Sequence, residues 1–167
     1  MATIALKGTP VHTSGELPAV GTNPPSFILT TTELGEVGPH SFPGKVVVLN
    51  IFPSVDTPTC AASVRRFNSE LANVSDTVVL CASADLPFAH KRFCGAEGLD
   101  RVMSVSDLRD REFGQRYGVS IVDGPLKGLL ARSVVVIGKD GKVKYTQMVP
   151  EITEEPDYAT ALAAVKG

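Results

Sequence analysis

What this sequence lacks narrows it first. No apolar run approaches the ~20 residues of a membrane-spanning helix, and there is no internal repeat or low-complexity stretch. No block of like charge runs longer than Arg65-Arg66 or Glu154-Glu155, and the formal net charge is only -2. A broad electrostatic footprint for nucleic acid or for an anionic membrane is therefore missing. The two charge pairs read as solvated helix faces or ends. The opening Met1-Ala2-Thr3-Ile4-Ala5-Leu6-Lys7-Gly8 is too short and too polar for a signal peptide, so a cytoplasmic location is expected. Cysteine is scarce as well: Cys60, Cys81 and Cys94. An odd, small number in a cytosolic chain argues against a structural disulfide framework. Any bridge is expected to be catalytic or redox-sensing.

What remains has the balance of a soluble globular protein, 43% hydrophobic and 20% charged over 167 residues. One domain spanning residues 1–167 is expected, with residues 1–14 as an N-terminal hairpin extension. Thr3 to Lys7 and Val11 to Thr13 read as short strands around Gly8-Thr9-Pro10. Leu17 to Ser26, with three prolines and a glycine, reads as a loop. Phe27 to Thr31 is β-rich, and Val37 pairs with it across a turn.

Beyond the turn at Phe42-Pro43-Gly44-Lys45 comes Val46 to Phe52, an apolar run rich in β-branched residues, the mark of a strand covered on both faces. Thr57 as N-cap and Pro58 at the first helical position predict a helix running to about Ala72. Thr77 to Ser83 predicts a second buried strand. Pro87 opens a helix that Gly95 ends, and Asp107 to Tyr117 fits a third. Val134 to Ile137 and Val143 to Met148 flank a turn at Gly138-Lys139-Asp140-Gly141, and a last helix starts near Pro156. Parallel crossovers followed by an antiparallel hairpin predict an α/β chain: a mixed central sheet with helices on both faces. A thioredoxin-like fold satisfies that order.

The three cysteines fall in unlike places. A thiolate, not a thiol, is the nucleophile, and an ordinary cysteine with a pKa of about 8.5 is mostly thiol near neutrality. Cys60 lies three residues after Thr57, in the first turn of its predicted helix. There, unpaired backbone N–H groups and the helix dipole favour an anion. Cys94 lies at the opposite pole of its helix, where carbonyls disfavour one. Cys81 lies inside an apolar strand, where burial raises a thiol pKa. Taken alone, Cys60 could still be a small buried hydrophobe, Thr57 a plain N-cap, Arg132 a surface strand residue and Pro53 a strand end.

The neighbourhood of Cys60 carries more. Pro53-Ser54-Val55-Asp56-Thr57-Pro58-Thr59-Cys60 follows a buried strand and opens a helix, and it resembles the peroxiredoxin pattern Pro-x-x-x-Thr/Ser-x-x-Cys. Leu49-Asn50-Ile51-Phe52-Pro53-Ser54, Ser83-Ala84-Asp85-Leu86-Pro87-Phe88-Ala89, Arg92-Phe93-Cys94-Gly95-Ala96-Glu97-Gly98 and Asp123 to Arg132 resemble the thiol peroxidase subfamily, as does the opening hairpin. The resemblance implies roles by position. Cys60 matches the peroxidatic cysteine and Thr57 the hydroxyl that orients the peroxide. Pro53 matches the residue that shields the pocket, Arg132 the active-site arginine and Cys94 the resolving cysteine. It further implies a hydroperoxide substrate, hydrogen peroxide or an alkyl hydroperoxide. A Cys60 sulfenic acid would be resolved to an intramolecular disulfide with Cys94. Thioredoxin would be the reductant and a homodimer the assembly, with no metal or organic cofactor.

Three other readings use the same residues. A thiol–disulfide oxidoreductase would carry Cys-x-x-Cys, but the chain reads Cys60-Ala61-Ala62-Ser63. A cysteine hydrolase needs a histidine base. His12, His40 and His90 are the candidates, each expected at the surface, although His90 shares a helix face with Cys94 as a possible metal pair. A redox sensor or chaperone-like binding module could use the same cysteine as a switch.

Overall fold

The computed structural model describes residues 1–71 and 74–167. The hairpin comes first: β1 (Thr3–Leu6) and β2 (Thr9–His12) pair antiparallel through a two-residue turn at Lys7-Gly8. Both turn residues have positive φ, +51° and +81°, as the tightest hairpin turns demand. Then follow β3 (Leu29–Thr31), β4 (Glu36–Val37) and β5 (Val46–Ile51). The expected pairing of Val37 is present, opposite Leu29. Next come α1 (Pro58–Glu70), β6 (Thr77–Ser83), α2 (Pro87–Glu97), β7 (Met103–Ser106), α3 (Phe113–Arg116), β8 (Ser133–Ile137), β9 (Val143–Met148) and α4 (Tyr158–Lys166). The end of α1 expected at Ala72 lies outside the described residues.

The main sheet has the order β4-β3-β7-β6-β5-β8-β9, parallel from β5 through β6 to β7 and antiparallel at β3 and from β8 outward. Every residue of β5 is buried, as its apolar run requires of a central strand. Side chains alternate between two cores. Val46, Val48, Val79, Cys81, Val134 and Val136 face α1, Phe93 of α2, and α4. Val47, Leu49, Ile51, Leu80, Val105 and Val135 face the hairpin, Phe27 and the single turn of α3. Helices do lie on both faces, although one face holds only that short turn. Among the described residues no helix is long and apolar enough to cross a membrane.

Three sequence expectations are corrected. Met103–Ser106 is a strand that the sequence pattern does not predict. Its serines are buried, and hydrogen bonds satisfy both: Ser104 Oγ meets the Cys94 sulfur and Ser106 Oγ accepts from the Leu108 N–H. The helix expected over Asp107 to Tyr117 shrinks to Phe113–Arg116. The Asp107 N–H is taken by the Ser83 carbonyl at the end of β6, and the Asp110 carboxylate by the Ile28 N–H and Arg116. Turn bonds three residues apart, from the Asp110 N–H to the Asp107 carbonyl and from the Phe113 N–H to the Asp110 carbonyl, stand here in place of helical ones. Finally, Gly98 and not Gly95 ends α2. It adopts φ +66°, and the following Leu99 N–H closes on the Cys94 carbonyl at 3.1 Å, a left-handed cap that glycine takes without steric cost.

Candidate active site

The first turn of α1 carries Cys60. Thr57 is the N-cap residue, extended at φ -95° and ψ 144°, and Pro58 occupies the first helical position. The Thr57 hydroxyl does not cap the helix. It donates back to the Ser54 carbonyl at 3.1 Å, which also accepts the Thr57 N–H at 3.2 Å. Its lone pairs are left free to accept. Asp56 and Pro58 are exposed, Thr57 and Thr59 half-buried, and Cys60 is 0% exposed. The turn is thus at the surface while its sulfur points inward, among Phe52, Val55 and Val64. Pro53 is buried between the end of β5 and this turn.

Arg132, immediately before β8, reaches the same place from the antiparallel neighbour of β5. Its Nη2 donates to the Cys60 sulfur at 3.2 Å and its Nε to the Ile152 carbonyl at 2.8 Å. The side chain is buried, and Nη1 has no partner among the described residues. Arginine keeps its charge throughout the accessible pH range, and a buried cation demands an anion or strong acceptors. Among the described residues no carboxylate forms a salt bridge with it, and its side-chain hydrogen bonds go to one carbonyl and one sulfur.

The loop before α1 is braced by Asp85. This carboxylate accepts from Ser54 Oγ at 2.8 Å, from the Val55 N–H at 2.9 Å, and from the Ser83 hydroxyl. Ser83 also meets His90 Nε2 at 3.0 Å. His90 is fully buried, against the surface position expected of it, and burial lowers its pKa although the Asp85 charge opposes this. His12 is half-buried and paired through Nδ1 with Asp123 at 2.6 Å, while His40 is exposed. Among the described residues, no three His, Cys, Asp or Glu side chains are grouped to hold a metal ion.

The other two sulfurs are set differently. Cys94 lies in the last turn of α2, half-buried, with its sulfur 3.0 Å from Ser104 Oγ. Burial pushes this thiol up, and the Ser104 contact offsets part of the shift. Burial pushes Cys81 up further, to about 12, against a weak donation from Asn50. All three cysteines are free thiols. The structure therefore brings Arg132 onto Cys60 and keeps Cys94 in its own helix, unbonded to Cys60. Leu130, which the sequence sets near Arg132, packs in the core cluster on the face away from α1.

The sequence pointed to Arg132 only by resemblance, and gave no hint of Ile152 or of the bracing by Asp85. Ile152 acts through its backbone, which no side-chain pattern reveals.

A thioredoxin-like sheet that delivers a cysteine to a helix N-terminus against a buried guanidinium defines a thiol-based redox protein. Comparison with known proteins narrows the class. The Redoxin family model matches residues 19–162. A thiol peroxidase of Mycobacterium tuberculosis is 59% identical over 165 residues, 99% of each chain, and one of Corynebacterium glutamicum is 55% identical with the same coverage. A peroxiredoxin-like protein from Aquifex aeolicus superposes with a TM-score of 0.94 at 42% identity, covering 99% of this chain and 96% of that one. The chain belongs to the peroxiredoxin family, in its thiol peroxidase subfamily, and is a peroxidase of that kind.

Proposed function

We propose that the chain reduces hydrogen peroxide and alkyl hydroperoxides with Cys60 as the attacking sulfur. The observation that carries this is the Arg132 guanidinium, 3.2 Å from the Cys60 sulfur through Nη2 and, among the described residues, unpartnered at Nη1. A thiolate satisfies that buried cation where a neutral thiol does not. When the sulfur attacks one peroxide oxygen, negative charge grows on the other, and a donor already in place stabilises it without reorganisation. Nη1 is such a donor. Thr57, its proton held by the Ser54 carbonyl, accepts the hydroperoxide O–H and turns the substrate. Pro53 and the apolar Phe52 and Val55 keep water from the sulfur and suit an organic substituent.

The product is a Cys60 sulfenic acid, and Cys94 condenses with it to form an intramolecular disulfide and water. The sulfurs bond only when their α-carbons come within about 7 Å, so the first turn of α1 and the last of α2 unwind. Thioredoxin then reduces the bond. The enzyme works in the cytoplasm, a reducing compartment that suits three free thiols, as one domain over residues 1–167. It pairs as a homodimer through a surface that includes Leu86 and Phe88 of the α2 start, 50% and 66% exposed.

The test is turnover. Purified protein with thioredoxin, thioredoxin reductase and NADPH should consume hydrogen peroxide and cumene hydroperoxide. Reduction of insulin disulfides without peroxide consumption would establish the thiol–disulfide oxidoreductase instead.

A further inference from the structure

Glu151 stands where the N-terminal hairpin meets the segment between β9 and α4. Its carboxylate accepts from the Gly8 N–H at 2.8 Å and the Lys7 N–H at 3.1 Å, both in the hairpin turn. From its own segment it accepts the Thr153 N–H at 3.0 Å and the Thr153 hydroxyl at 2.9 Å. Successive N–H groups in a turn form an anion-binding concavity, and here it is filled by a side chain from 143 positions away. Backbone bonds continue the attachment: the Ala5 N–H donates to the Pro150 carbonyl at 2.7 Å, and the Ile152 N–H to the Ala5 carbonyl at 2.9 Å. The Ile152 side chain is buried in one cluster with Ile4 and Val11.

Two consecutive carbonyls of this gripped segment point at the active site. Ile152 accepts from Arg132 Nε at 2.8 Å. Thr153 accepts from the Thr59 hydroxyl at 3.0 Å, one residue before Cys60. The hairpin lies outside the Redoxin match, which begins at residue 19, yet it holds the backbone that aims the guanidinium.

We propose that Glu151 is a positioning residue for the peroxide step: it clamps the hairpin turn to the 150–153 segment and so fixes the Ile152 carbonyl that orients Arg132 on the Cys60 sulfur. The proposal rests on the roles assigned above to Cys60 and Arg132. It gives the hairpin a catalytic consequence without any contact to substrate.

A double-mutant cycle tests it, read as the single-turnover rate constant for Cys60 oxidation by hydrogen peroxide. Glu151→Ala should slow that step about tenfold, since a misplacement near 1 Å remote from the chemistry can cost up to about a hundredfold. Glu151→Gln, with one acceptor oxygen in place of two, should fall between, and it carries the cycle if Glu151→Ala does not fold. In an Arg132→Met background the Glu151 substitution should cost nothing more. An unchanged rate in both Glu151 variants, or the full loss repeated on top of Arg132→Met, overturns the proposal. If Arg132→Met alone leaves the rate unchanged, the assignment of Arg132 falls, and this inference with it.

Discussion

Cys60 and Cys94 sit at opposite poles of two helices and have opposite surroundings. Cys60 is enclosed, with a guanidinium at 3.2 Å and its helix N-terminus around it. Cys94 is half-buried beside a neutral hydroxyl, at a helix C-terminus, and burial holds it as a thiol. The same atom type is thus presented once beside a fixed cation and once beside a neutral hydroxyl. Under the proposed function, reactivity is a property of the element end and of the charge delivered to it, not of exposure. The less exposed sulfur is the one proposed to react.

The largest break in this contrast comes from exchanging sulfur for oxygen. Cys60→Ser should abolish peroxide consumption at any peroxide concentration, whereas Cys94→Ser should complete one turnover with thioredoxin and then stall. Stopped-flow peroxide loss against enzyme concentration separates the two. Next is the cation. Arg132→Met removes the charge that distinguishes the two sites, and the peroxide step should slow about a hundredfold or more, the loss of roughly 3 kcal/mol typical of one preorganised donor. The following resolution step should change little.

A smaller effect separates the steps by pH. The folded Cys94 thiol titrates above its unwound value, so the folded position is fully stable below the ordinary thiol pKa of about 8.5 and loses stability as pH rises from there toward the raised value. In the proposed resolution step, rising pH should therefore favour both unwinding of the last turn of α2 and the attacking thiolate. Disulfide formation, followed by quenched mass spectrometry, should accelerate through pH 8.5 and beyond. A resolution rate that falls with pH would contradict this. Ser104→Ala removes the contact that lowers the Cys94 pKa, and alkylation of Cys94 in the folded protein should slow by a few-fold, roughly the effect of one hydrogen bond. The smallest effect belongs to Cys81. With its thiol pushed up to about 12, it should stay unalkylated at pH 8, and Cys81→Ala should leave turnover within about twofold, since it only trims the core.

The contrast between the two cysteines was legible in the sequence because it is local. Eight residues from Pro53, just past the end of β5, to Cys60 contain the N-cap position, the helix-opening proline and the sulfur. The β5 run was equally plain, since continuous β-branched residues have few other uses. What escaped depends on partners distant in the chain. Ser104 and Ser106 disguised β7 as a polar segment, because the bonds that satisfy them come from α2 and the following turn. His90 reads in the sequence as a solvated helix residue, whereas Ser83 and the Asp85 charge give it a buried place in the fold. Gly95 and Gly98 are equivalent as helix stops in the sequence, and it is Gly98 that takes the left-handed φ of +66° and closes α2. Arg132 required the antiparallel register of β5 and β8, and its support by Ile152 required the β9–α4 segment and the hairpin as well.

The most direct test of the central claim is to locate the first oxygen. Reduced Cys94→Ser protein is given one equivalent of hydrogen peroxide with dimedone, which traps sulfenic acids, and the labelled cysteine is identified by peptide mass spectrometry. The label is expected on Cys60, and it should nearly disappear when Arg132→Met is added and the reaction is quenched at the same early time. A label on Cys81, or an equal label on Cys60 with and without the arginine, would contradict it.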